Sequence, residues 1–154
     1  MRRILFVCLG NICRSPMAEA VLRAKLVQAG LEKQVQVDSA GTGDWHLGDP
    51  PHQGTRELLK RQNVSFSGIH ARQIKPKDFE HFDCLIAMDR QNERDLLQMV
   101  AGDPRKQKKV QLFMDLLDGA HTQDVPDPYY DGNFERVFQL IDKGTEALIK
   151  RLSE

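Results

Sequence analysis

The sequence predicts an α/β protein of three layers, with helices on both faces of a central four-stranded parallel sheet. Three observations carry that prediction. The short apolar runs Ile4-Leu5-Phe6-Val7 and Cys84-Leu85-Ile86-Ala87-Met88 lack polar alternation, as strands buried on both faces require. Helical patterns follow the strands in alternation, the signature of βαβ crossovers. The chain of 154 residues suits one domain, taken as 1–154.

Each element has a local reason. Ile4–Val7 is the first strand; the apolar stretch is too short for a signal peptide, and Asn11 and Arg14 interrupt it. Ser15 is expected to cap the following helix, with Pro16 at its first position. Met17, Val21, Ala24 and Val27 then share one face, and Gly30 ends the pattern. Val35–Ser39 alternates as a second strand. A Gly- and Pro-rich loop runs from Gly41 to Pro51, and a helix spans roughly His52 to Gln62. Lys75–Phe82 predicts a short helix, and Cys84–Met88 is the third strand. Asp89 caps a helix from Arg90 to about Val100, and Val110–Phe113 is the fourth strand. Asp118–Gly132 is polar, holds Pro126 and Pro128, and reads as a loop. Phe134, Phe138, Ile141, Thr145, Leu148 and Leu152 step along a final amphipathic helix. Gly144 lies inside it, where glycine is unfavourable by about 1 kcal/mol, and the pattern supplies no reason for it.

Composition excludes several classes. Hydrophobic residues make up 40% and charged residues 29%, too apolar for a disordered chain. The 22 basic residues balance 22 acidic ones, so there is no basic excess of the kind nucleic-acid binding demands. No apolar run approaches the roughly 20 residues that span a bilayer, so no membrane partner is expected. Three cysteines with no export signal argue against a disulfide scaffold and for a reducing, cytoplasmic setting. The histidines and cysteines show no metal-ligand spacing; neither metal nor cofactor is expected.

The chemistry concentrates in Val7-Cys8-Leu9-Gly10-Asn11-Ile12-Cys13-Arg14-Ser15-Pro16, between the first strand and the first helix. Successive backbone N–H groups of a tight loop can point inward and form an anion nest. The helix N-terminus adds partial positive charge and unpaired donors. Arg14 can then grip two phosphate oxygens as a bidentate fork. The same field favours a thiolate, which makes Cys8 a nucleophile, and Ser15 can donate a hydrogen bond to its sulfur. A cysteine and an arginine at this spacing also arise by chance, with Cys8 then a mere strand-end residue. The strand–loop–helix context is what raises the signal.

This loop resembles the signature of the low-molecular-weight protein-tyrosine phosphatases nearly residue for residue. The likeness extends to Val37-Asp38-Ser39-Ala40, His70-Ala71-Arg72-Gln73-Ile74, Met88-Asp89 and Asp127-Pro128-Tyr129-Tyr130, essentially the whole chain. It implies a flavodoxin-like, Rossmann-like sheet with the phosphate-binding loop after the first strand. It also implies hydrolysis of phosphotyrosine in proteins, through a phosphocysteine on Cys8.

The resemblance assigns further roles. A phenolate, whose conjugate acid has a pKa near about 10, leaves slowly unless protonated. The family places its acid, later the base, at Asp127; Asp124 is the nearby competitor. Leu9, Gly10, Asn11, Ile12, Cys13 and Ser15 form the phosphate loop. Asn11, Ser39 and His70 resemble residues that brace it, and Asp89 stands close by. Trp45 and Tyr129, with Leu9, are expected to wall a substrate pocket. Tyr130 is expected to be exposed, and in this family the paired tyrosines can be phosphorylated. The family uses the Cys8–Cys13 pair as a reversible oxidation guard; Cys84 reads as inert core. Expected partners are tyrosine-phosphorylated proteins, with a tyrosine kinase as a candidate, and a monomer is the default. Two alternatives stay open: an arsenate reductase-like thiol oxidoreductase, and a non-catalytic phosphate-binding module.

Overall fold

The computed structural model describes residues 1–119 and 122–154. Four strands form its sheet: β1 (Arg2–Cys8), β2 (Val35–Gly41), β3 (Cys84–Ala87) and β4 (Val110–Leu112). All pairings are parallel, in the order β2-β1-β3-β4. Among the described residues seven helices connect or flank them: α1 (Arg14–Gln28), α2 (Gln53–Arg61), α3 (Asp78–His81), α4 (Arg90–Met99), α5 (Pro104–Gln107), α6 (Pro128–Asp131) and α7 (Phe134–Leu152). A 3₁₀ turn, Phe113–Leu116, follows β4. Among the described residues no helix is long and apolar enough to cross a membrane.

The uninterrupted apolar run of β1 is explained by burial on both faces. Ile4, Phe6 and Cys8 join one core with residues of α1, α2 and α7. Leu5 and Val7 join the other, with Phe79 of α3 and Leu96 of α4. Phe6 is fully buried beside Phe113, ring centroids 6.2 Å apart; truncation to alanine is expected to cost about 3–5 kcal/mol. The chain leaves β1 toward β2 on one side and returns to β3 on the other. The carboxyl ends of β1 and β3 therefore flank a topological switch point, where such sheets bind ligands.

Three differences from the sequence reading have physical causes. Val27, expected on the buried face of α1, is 62% exposed, whereas both sides of the helix's first turns are covered by sheet and neighbouring helices. Its end is as expected: Gly30 (φ 71°) closes a Schellman motif, with Gly30 N–H donating to Val27 O and Leu31 N–H to Leu26 O. Ser15 is not the helix cap. The helix starts at Arg14, and the Ser15 hydroxyl turns to Cys8 instead. Two short helices, α5 and α6, were unexpected; each opens Asp-Pro, with aspartate capping and proline at the first position. Of the loop read over 118–132, residues 120 and 121 lie outside the described residues. Gly144 now has a reason: a Cβ there would fall among the ring atoms of Phe113, which packs directly on the helix backbone.

Candidate active site

The loop from Cys8 to Arg14 turns on Asn11, a non-glycine residue in the left-handed region (φ 57°). Asparagine tolerates that conformation because its short amide bonds locally. Here Asn11 Nδ2 donates to Ser15 Oγ (2.8 Å) and Ser39 Oγ (3.0 Å), and Oδ1 accepts from Arg72 N–H (2.9 Å). An amide nitrogen only donates, so both hydroxyls accept from it. Ser39 Oγ–H is then directed to Glu19 Oε1 (2.7 Å). Ser15 Oγ lies 3.0 Å from Cys8 Sγ, where its proton can meet a thiolate. The loop is also stitched to the end of β2: Thr42 N–H donates to Cys8 O and Gly43 N–H to Leu9 O, each 2.9 Å. Gly41 permits this approach, since a Cβ there would lie 2.8 Å from Leu9 O.

Arg14 is 2% exposed and held by three residues on two segments. Its Nη1 donates to Asp89 Oδ2 (2.8 Å) and to Val125 O (2.9 Å), and Nη2 lies 3.5 Å from Asp127 Oδ2. Asp89 also caps α4 through Oδ1, accepting from Asn92 N–H (2.7 Å), so one carboxylate serves both purposes. Burial alone would lower the Arg14 guanidinium, but Cys8, Asp89 and Asp127 outweigh it and hold the pKa above its ordinary value. Arg14 Nε is buried with no hydrogen-bond partner among the described residues. An unpaired buried donor on a charged fork marks where an oxyanion fits.

Asp127 caps α6, its Oδ1 accepting from Tyr129 N–H (3.1 Å). Its loop is anchored by Val125 N–H donating to Met88 O (2.8 Å). Asp124, the competing acid, instead accepts from Arg90 N–H (2.9 Å) and the Arg90 side chain. Slight burial raises its pKa, but the Arg90 bonds prevail and keep it below the ordinary range, so it is a latch.

Cys8, Cys13 and Arg14 floor a cleft of about 210 Å³, walled by Leu9, Ile12, Trp45, His46, Tyr129 and Tyr130, with Asp127 lining it. Trp45 and Tyr129 are there as expected, though 68% and 55% exposed. Tyr130 is exposed, also as expected, but lines the cleft. Burial, then the neighbouring Cys8 and Asp127, push the Cys13 thiol up to about 12, so it stays protonated at neutral pH. Cys8, Cys13 and Cys84 are all free thiols.

His70 requires correction. Its ring is exposed and bonds Gly68 O (3.3 Å), while the preceding Ile69 is the buried residue. The contact expected from His70 is made by the backbone of Arg72, whose guanidinium is locked by Asp38 and Asp78. Sequence reasoning also missed Glu19, His46 and His52. Glu19 had a signal: a lone carboxylate in the apolar stretch Pro16–Leu22. Burial pushes it up to about 7 despite the Ser39 bond.

The family model described as low molecular weight phosphotyrosine protein phosphatase matches residues 3–154. This chain belongs to that family. Among phosphatases of the family, it is 47% identical to YfkJ of Bacillus subtilis over 154 residues, covering 100% of this chain and 97% of the relative. The crystal structure of YfkJ superposes with a TM-score of 0.95, covering 99% and 95% of the two chains. A protein tyrosine phosphatase from Entamoeba histolytica, with Hepes in its active site, matches at 35% identity and TM-score 0.91, over 99% of this chain and 97% of that one. A drosophila arginine phosphatase, DARP, matches at 32% identity and TM-score 0.90 over the full length of both.

Proposed function

We propose that the protein hydrolyses phosphotyrosine in proteins, and small aryl phosphates, in two displacements at phosphorus. The observation that carries this reading is convergence: Cys8 Sγ, the unpaired Nε of Arg14 and the Asp127 carboxyl, 3.5 Å from Arg14 Nη2, meet in one aromatic-walled cleft. Cys8 sulfur attacks phosphorus as the P–O bond to the phenol breaks, and Asp127 delivers a proton to the departing oxygen. The Arg14 fork and the loop amides hold the equatorial oxygens as charge shifts. The Asp127 carboxylate then takes a proton from water, which attacks the phosphocysteine and releases inorganic phosphate. The Ser15 hydroxyl steadies the departing thiolate.

Cys8→Ser is expected to abolish turnover while keeping inorganic phosphate binding. Asp127→Asn is expected to slow poor leaving groups most. Turnover surviving in Cys8→Ser, or equal losses across leaving groups in Asp127→Asn, refutes the mechanism.

The alternatives differ in what the site must contain. An arsenate reductase-like thiol relay needs two further cysteines beyond the phosphate loop, and Cys84 is the single cysteine after Cys13 in the sequence. Cys84 opens β3 opposite Ile4, four residues and about 13 Å along the sheet from the Cys8 end. Its sulfur accepts from Gln111 Nε2 (2.5 Å). A pure binding module needs neither thiolate nor acid. Phosphoarginine, suggested by the likeness to DARP, has a guanidinium leaving group that wants acceptors, and among the described residues Asp127 is the sole acidic one lining this cleft. Side-by-side assay of phosphotyrosine and phosphoarginine peptides separates the two, with phosphotyrosine preferred. Three free thiols suit a reducing, cytoplasmic setting, and a monomer is the proposed state of this single small domain. Its partners are tyrosine-phosphorylated proteins, a tyrosine kinase being a candidate.

A further inference from the structure

We infer that His52 is a positioning residue that ties the phosphate loop to the acid loop and sets Asp127 over Cys8. The inference rests on Asp127 being the proton donor.

His52 touches both halves of the site without lining it. Its backbone N–H donates to Ile12 O (2.7 Å), in the phosphate loop. Its Nδ1 accepts from Gly54 N–H (3.0 Å), capping α2 and fixing the ring's tilt and tautomer, with the proton on Nε2. One face stacks on Phe134, centroids 5.2 Å apart and planes 23° apart. Phe134 in turn packs against Gly54, where a Cβ would enter its ring. Tyr129 meets His52 at 5.8 Å and 75°, edge to face. Tyr129 N–H donates to Asp127 Oδ1, so the ring that His52 supports belongs to the residue that orients the acid. The acid loop's other anchors, Val125 and Asp124, lie before Asp127; after it the Tyr129 ring meets His52, with His46 farther off at 6.4 Å.

The cap and the ring are separable. His52→Asp keeps a capping acceptor and removes the ring; His52→Phe keeps the ring and removes the cap. The measurement is kcat/KM for phenyl phosphate and for 4-nitrophenyl phosphate, whose leaving groups differ in their need for a proton, alongside Tm. His52→Asp is expected to hold Tm and lose about tenfold on phenyl phosphate, with less than about twofold lost on 4-nitrophenyl phosphate. His52→Phe is expected to lower Tm yet keep the wild-type ratio of the two substrates. An unchanged ratio in His52→Asp, or the same altered ratio in both variants, overturns the inference. Asp127→Asn in the same assay separates the two failures. A leaving-group effect there with none in His52→Asp sinks the His52 role alone; no effect there sinks the acid assignment and this role with it.

Discussion

Removing the Glu19 carboxylate is expected to change the pH profile of stability with a calculable sign. Glu19 is 5% exposed, accepts from Ser39 Oγ–H at 2.7 Å and lies 3.2 Å from Arg23 Nη1. Burial raises its pKa from 4.5 to about 7 in the folded chain. The folded protein therefore keeps a proton that the unfolded chain releases. The stabilisation is fully present below about 4.5 and is lost as pH rises through about 7. At 1.36 kcal/mol per unit, the shift amounts to about 3 kcal/mol across that window. Glu19→Gln keeps an Oε1 acceptor for Ser39 and removes the titration. Urea unfolding of both chains between about pH 5 and pH 8 is the assay, since titrations common to both cancel in the difference. Wild type should lose about 2.5 kcal/mol relative to the variant over that range, the rest of the change lying below about pH 5. Parallel profiles would refute the reasoning, by showing that Glu19 ionises in the folded protein as it does in the open chain.

Gly144→Ala gains about 1 kcal/mol of helix propensity but drives a methyl into the Phe113 ring, an overpacking cost of about 1–3 kcal/mol; Tm should fall, and a rise would contradict the packing. Gly41→Ala presses its Cβ on Leu9 O, so kcat/KM should drop by about tenfold or more, with phosphate binding weakened in parallel. Asp89→Asn keeps an acceptor for the α4 cap but turns an amide toward Arg14 Nη1. Calorimetry should show inorganic phosphate bound about tenfold more weakly; unchanged affinity would remove Asp89 from the site. Cys13→Ser is expected to lose reductant-recoverable activity after peroxide, and recovery equal to wild type would remove its guard role.

Much of this molecule was legible in local sequence. Unbroken apolar runs marked β1 and β3 because a strand covered on both faces has no solvent side to make polar. Asp89 as the α4 cap and Gly30 as the α1 stop were readable because capping is settled within a few residues. The strand–loop–helix setting of Cys8 and Arg14 was readable for the same reason, as chain direction alone puts a helix N-terminus beside them. Asp127 and its Pro-Tyr-Tyr context came from resemblance, since nothing local says which carboxylate crosses to a loop more than a hundred residues earlier.

What only the tertiary structure decided are the contacts between segments distant in the chain. The structure gave the phosphate-loop brace to the Arg72 backbone rather than His70, because a backbone amide leaves no side-chain signature. It gave Gly144 a purpose through Phe113, and it turned Asp124 into a latch by facing it with Arg90. It also brought His52 between Ile12 and Tyr129. Helix caps and strand burial are short-range effects written in neighbouring residues. The partner of a buried polar group depends on which distant segment the packed sheet brings alongside it, and that is set by the fold as a whole.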